Sequence, residues 1–307
     1  MIVLLGVPFA LGGWWDDCAD EIVGMTLAPQ GLRRLGFVNR LVAHDAALGA
    51  GIRDAGDIAI EPGYRVDTGP GVKNRDLVIA TLPRIRDRVA AELSTSGSEA
   101  RLLVLGGECT IHPAVLASIR RARPDHRIGL VWFDAHGDFN STETSPSGSI
   151  WGMPFALANG RGDPGLVAAC DGPTVAPEDC ALMGGQVLDE TESRAISASP
   201  MAHFGAGMLA TEAGMAAFGA WATVVGRRVD AFYVAFDVDA LDASGNWAVT
   251  LHEPGGLALE TAVRALRALA AAGPVVGFGA TTVSLGNGDA PRTADAVAAL
   301  ASAALGR

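Results

Sequence analysis

Cysteine is scarce in this chain. Four occur in 307 residues, Cys18, Cys109, Cys170 and Cys180, with no CxxC spacing and no disulfide-framework density. Long clean apolar runs are absent too, so no membrane span is expected. The apolar start, Met1 to Val7, has no basic flank and is soon followed by Asp16 and Asp17. It reads as a buried strand, not a signal peptide. Lys73 is the only lysine, and the formal net charge is −11. No basic stripe is left to grip nucleic acid. With 49% hydrophobic and 19% charged residues, the composition fits a compact core. No linker, repeat or low-complexity tract breaks the chain. The expectation is one domain over residues 1–307, reduced and cytoplasmic.

What is present is alternation. Apolar runs at 2–7, 101–105, 128–133, 180–183, 231–236 and 275–278 read as strands. Helical spacing covers 77–93, 114–123, part of 207–225, 260–272 and 290–305. Such alternation predicts an α/β fold with a parallel sheet and helices on both faces. Ligands of such sheets sit at the carboxyl ends of the strands. Three motifs fall there: Asp134-Ala135-His136-Gly137-Asp138, Asp237-Val238-Asp239 and Gly106-Gly107-Glu108-Cys109. Alternate residues of an extended segment point the same way, so Asp134, His136 and Asp138 should converge, as should Asp237 and Asp239. Carboxylates this close repel one another unless a cation lies between them. One or two hard divalent ions suit the set. The irregular stretches 140–151 and 242–256 each follow an acidic motif and are expected to wall a pocket.

These motifs resemble the ureohydrolase family of arginases, agmatinases and formimidoylglutamases. The resemblance runs from Gly6-Val7-Pro8 to Ser284-Leu285-Gly286. It implies a three-layer, arginase-like sandwich with a mainly parallel sheet of about eight strands. It also implies two manganese ions bridged by hydroxide. Asp134 and Asp237 would bridge the ions, Asp138 would bind one, and His136 and Asp239 the other. Cys109 stands at the family's remaining histidine ligand. Asn140 and Ser147 match its α-carboxylate contacts, and Asp189 and Glu192 its α-amino contacts.

Two departures bear on the substrate. Trp151 lies in the segment that carries the arginases' proton-shuttling histidine, and an indole cannot relay that proton. Ala280 stands where a glutamate should face the guanidinium. A guanidinium is always charged near neutral pH, so both losses tell against plain arginine. A guanidine made less basic by N-hydroxylation needs neither device to the same degree. Within the family, the pattern looks like the branch that cleaves Nω-hydroxy-L-arginine to hydroxyurea and L-ornithine in D-cycloserine biosynthesis. There Asp138 would orient the attacking hydroxide and is the expected catalytic residue. The alternatives are an arginase, agmatinase or formimidoylglutamase, or a degenerate relative that binds metal or regulates. His112 is expected to serve the start of a helix, and His252 or Glu253 is a candidate replacement shuttle. Cys18, Cys170 and Cys180 are expected to be bystanders. Glu260 at the family's interface arginine, and the chain end soon after the last helix, lead to the expectation of a monomer acting on a small amino-acid substrate.

Overall fold

The computed structural model describes residues 1–13, 19–49, 51–60 and 71–306. Its strands are β1 (Ile2–Val7), β2 (Ile52–Asp57), β3 (Arg101–Gly106), β4 (Ile128–Asp134), β5 (Cys180–Gly184), β6 (Ala202–Phe204), β7 (Ala231–Asp237) and β8 (Val275–Thr281). They form one eight-stranded sheet in the order β2-β1-β3-β8-β7-β4-β5-β6. Every neighbouring pair is parallel. Of the four central strands, β3, β8, β7 and β4, all but β8 carry one of the three acidic or cysteine-bearing motifs at or just beyond the carboxyl end.

Side-chain alternation builds a core on each face. Ile2 and Leu4 of β1 join one cluster with Phe37, Phe218, Leu266 and Leu300. Val3, Leu5 and Val7 join the other with Leu82, Val115 and Trp132. Because both faces are covered, the inner strands read as unbroken apolar runs. The helices Phe37–His44, Glu212–Gly226, Leu259–Ala272 and Ala290–Leu305 supply the first layer. Arg75–Ser96 and Ile111–Ala122 supply the opposite one. This is the expected three-layer α/β arrangement.

The structure differs from the sequence reading in places. The 207–225 segment is two helices, Ala206–Leu209 and Glu212–Gly226. Between them Thr211 caps the second, its side chain accepting from Gly214 N. The helix expected from 114 begins at Ile111, and Pro113 sits in its first turn, where a missing N–H costs nothing. Edge strands β2 and β6 carry no apolar run: β2 reads Ile-Arg-Asp-Ala-Gly-Asp, and β6 has three residues. Helices Ala19–Arg34, Phe37–His44 and Glu190–Ala198 were not anticipated either. Cys18 lies outside the described residues.

Two glycines permit close approaches that the site depends on. A Cβ on Gly107 would lie 1.8 Å from the Phe9 carbonyl oxygen, so only glycine lets the β3 loop pass there. A Cβ on Gly279 would lie 2.5 Å from the Tyr233 hydroxyl, in space that Tyr233 and His112 fill.

Candidate metal centre

Asp134 and Asp237 are the last residues of adjacent strands, with Phe133 paired to Phe236 just before them. The acidic motifs do not converge by strand alternation, however. Beyond Asp134 the backbone bends, and Asp138 takes a left-handed φ of 50°. Beyond Asp237 it winds into the 3-10 turn Val238–Ala240, which carries Asp239. Turns at the strand tips, not an extended pleat, bring the side chains together.

All four carboxylates are buried, between 1% and 3% exposed. One ligand atom from each of Asp134, His136 and Asp239 lies within 4.8 Å of the others. His136 Nδ1 is 3.2 Å from Asp134 Oδ1 and 3.6 Å from Asp239 Oδ2. Asp134 Oδ1 also accepts from His136 N at 2.7 Å, and Asp134 Oδ2 from Trp132 Nε1 at 3.0 Å. Ala135 N donates to Asp239 Oδ1 at 3.3 Å. On the other side, the Cys109 thiol donates to the Trp151 carbonyl at 3.1 Å. Asp138 Oδ2 is buried with no hydrogen-bond partner among the described residues.

The electrostatics follow from burial and crowding. Burial, then Asp134 and Asp237, push the Asp138 carboxyl well above its ordinary range. Burial, then Asp239 and Asp134, do the same to Asp237. Asp239 is pushed up to about 7, by burial and then Asp134. Burial also raises Asp134, but hydrogen bonds and charge from His136 outweigh it and hold that carboxyl low. His136 runs the opposite way: burial disfavours its charge, yet Asp239, Asp134 and Glu253 raise it. Burial and then the nearby carboxylates keep the Cys109 thiol protonated.

A cation is what this set of donors fits. Unpaired buried carboxyl oxygen is costly, and hard divalent ions take carboxylate and imidazole ligands. A cation would also lower the Cys109 thiol enough to make it a ligand.

A cavity of about 260 Å³ opens above these residues. Cys109, Asp134, His136, Asp138, Asp237 and Asp239 form its floor, and Asn140, Ser147, Asp189 and Glu192 line its wall. The six metal-ligand and four substrate-contact candidates named from the sequence therefore line one space. Asp189 and Glu192 sit where the loop after β5 runs into a helix. Asp189 caps the helix Glu190–Ala198, accepting from Glu192 N, and Glu192 lies in its first turn. Asn140 Nδ2 donates to Asp189 at 2.7 Å, which ties the two ends of the wall together. Glu192 accepts from Phe139 N at 2.9 Å, and burial lifts its carboxyl to about 7. Trp151 lines the cavity; Ala280 is buried inside β8 and does not.

Other residues sort themselves by contact. His112 is fully buried behind the floor, 2.9 Å from the Tyr233 hydroxyl and 3.2 Å from Thr281 Oγ1. Burial holds it neutral, down to about 3. His252 turns its Nε2 to the Trp247 carbonyl at 2.9 Å, away from the cavity lining. Glu253 reaches His136 Nε2 at 3.6 Å. Cys170 and Cys180 are buried, with thiols pushed up to about 12 by burial. Thr282 was not singled out in the sequence, yet it lines the cavity and its hydroxyl donates to Asp237 Oδ1. It stands just past the carboxyl end of β8, the same kind of position that drew attention to Asp134.

A model of the arginase family matches residues 1–306. The chain belongs to the arginase family. Its members are hydrolases acting on C–N bonds in linear amidines and depend on a binuclear metal site, and this chain is a hydrolase of that class. The arginase of Bacillus caldovelox is 30% identical over 273 residues, covering 88% of this chain and 86% of that protein. Its solved structure superposes with a TM-score of 0.86 at 28% identity, over 100% of this chain and 98% of the other. The Entamoeba histolytica arginase solved in complex with L-ornithine gives 0.85 at 25% identity, over 100% and 98%. Among the described residues, no helix is long and apolar enough to cross a membrane.

Proposed function

We propose that this arginase-family hydrolase cleaves the guanidino group of Nω-hydroxy-L-arginine, releasing hydroxyurea and L-ornithine. One observation carries the substrate. The carboxylates lining the cavity are Asp134, Asp138, Asp237 and Asp239 on the floor and Asp189 and Glu192 at the amino-acid end. Among the described residues none is left over to face a permanent guanidinium charge, and His136 is the only histidine of these in the lining. A less basic N-hydroxyguanidine is the substrate that tolerates both gaps. The same pattern supports a place in D-cycloserine biosynthesis.

Asp134 and Asp237 would be shared by two manganese ions, with Cys109 and Asp138 on one side and His136 and Asp239 on the other. When bound, such a pair supplies a water acidic enough to ionise near neutral pH and a Lewis acid for the guanidine. The rest falls to the protein. Asp138 accepts a hydrogen bond from the attacking oxygen and aims it at the guanidine carbon. Asn140 and Ser147 hold the substrate α-carboxylate, while Asp189 and Glu192 hold the α-ammonium. Cleavage of the C–N bond leaves an amine that needs a proton. Asp138, or the substrate's own N–OH, delivers it, since Trp151 cannot.

The test compares arginine, Nω-hydroxyarginine and agmatine at fixed manganese, following ornithine, urea and hydroxyurea. Hydroxyurea from hydroxyarginine, with general-acid help on arginine missing and turnover down by about 10²–10⁴, is the expected result. The similarity to the B. caldovelox arginase favours a second reading, plain arginase activity, and equal turnover of arginine would establish it. Turnover of agmatine, which has no α-carboxylate, would overturn the proposed roles of Asn140 and Ser147.

A further inference from the structure

Thr282 holds a backbone conformation that its side chain resists. Its φ is 63°, in the left-handed region, and it is β-branched. For such a residue this is a true outlier, and outliers persist only where the surroundings enforce them. The enforcing contacts come from two loops and the end of β7. Thr282 N donates to the Gly107 carbonyl at 2.7 Å, fixing it to the loop that carries Cys109. Its own carbonyl accepts from Thr250 N and from Thr250 Oγ1, each at 3.2 Å. Its hydroxyl donates to Asp237 Oδ1. The Thr281 carbonyl is also within 2.8 Å of that hydroxyl. With one proton to give, the hydroxyl favours the carboxylate as the stronger acceptor.

Glycine would take this φ without strain, so the conformation alone does not call for threonine. What threonine adds is the hydroxyl. Asp237 Oδ1 receives it together with Asp239 N at 3.4 Å, and among the described residues none donates to Oδ2. We propose that Thr282 is the positioning residue for Asp237: it fixes the carboxylate rotamer so that Oδ2 faces the cavity, and the strained backbone is kept to place that hydroxyl. This deepens the proposed function and rests on its assignment of Asp237 as a metal ligand. Hydrogen-bond partners of metal-ligating carboxylates orient the ligand, and their loss typically costs about 10–100-fold in metal affinity.

The experiment measures manganese binding by calorimetry on the full-length protein and on Thr282→Gly, Thr282→Val and Thr282→Ser. Melting temperatures are recorded alongside in chelator. Thr282→Gly and Thr282→Val should each bind manganese about tenfold or more weakly, and Thr282→Ser within about threefold of the parent. Thr282→Gly, freed of strain, should melt no lower than the parent without metal, so stability and metal affinity move apart. Should Thr282→Val fail to fold, the glycine variant carries the test. Parent-like affinity in Thr282→Gly, or a loss in Thr282→Ser as large as in Thr282→Gly, would overturn the inference. A parent protein that binds no manganese would instead overturn the metal assignment, and this inference with it.

Discussion

The two sides of the metal floor are built differently. On the β4 side, Asp134, His136 and Asp239 are already gathered, with imidazole, carboxylates and backbone N–H groups hydrogen-bonded to one another. On the β3 side, the Cys109 thiol points its proton at the Trp151 carbonyl, and Asp138 holds a buried oxygen with no partner among the described residues. On the first side His136, its basicity raised by Asp239, Asp134 and Glu253, offsets part of the carboxylate charge. The second has no such imidazole, and the ligand proposed for it, Cys109, is a soft sulfur. Preorganisation is therefore uneven, and the two ions are expected to bind with unequal strength.

The largest effects come from substituting one residue on each side. Asp134→Asn removes a carboxylate proposed to serve both ions, so calorimetry should show both binding events lost and turnover down by about 10³-fold or more. Cys109→His replaces a soft ligand with one that manganese accepts better, and should tighten only the weaker event, on the order of tenfold. Equal tightening of both events, or none, would erase the asymmetry.

A smaller effect is on stability against pH. Burial first, offset by hydrogen bonds from Thr110 and from Gly12 N, leaves the Glu108 carboxyl at about 7, and Asp239 also stands at about 7. Raised carboxyl values mean that the folded, metal-free protein binds more protons than the unfolded chain. Their stabilising share is fully present below the unfolded value of about 4 and is lost as pH rises through about 7. Metal-free melting temperature should therefore fall across that window. Glu108→Gln should flatten the fall by at most about 3 kcal/mol. Manganese affinity should run the other way, rising with pH as ligands lose protons. A metal-free melting temperature that climbs between about pH 5 and 8 would contradict the assignment of these buried carboxyls.

How much of this was legible in the sequence depends on where each residue sits. β1, β4 and β7 were readable because both their faces are buried and the apolar run is continuous. β2 and β6 were not, because an edge strand with a solvated side needs no such run. The acidic motifs were found by chain position, at strand ends, although turns and not pleat alternation bring them together. Asp189 and Glu192 were found by family resemblance, and their place at a helix start was not. Thr282 escaped because nothing local marks it, and Glu253 was named as a candidate shuttle but not as the partner of His136. One is placed by the end of β8 and the other by a loop that folds back onto His136, and such long-range placement leaves no periodic trace. The trace of Ala280 was an absence: a strand end without its expected carboxylate.

The most direct measurement is diffraction at the manganese absorption edge from crystals grown with excess manganese. Two anomalous peaks are expected, both within ligand distance of Asp134 and Asp237, with the one beside Cys109 weaker. An empty floor, or a single ion held away from Asp237, would contradict a paired-metal hydrolase.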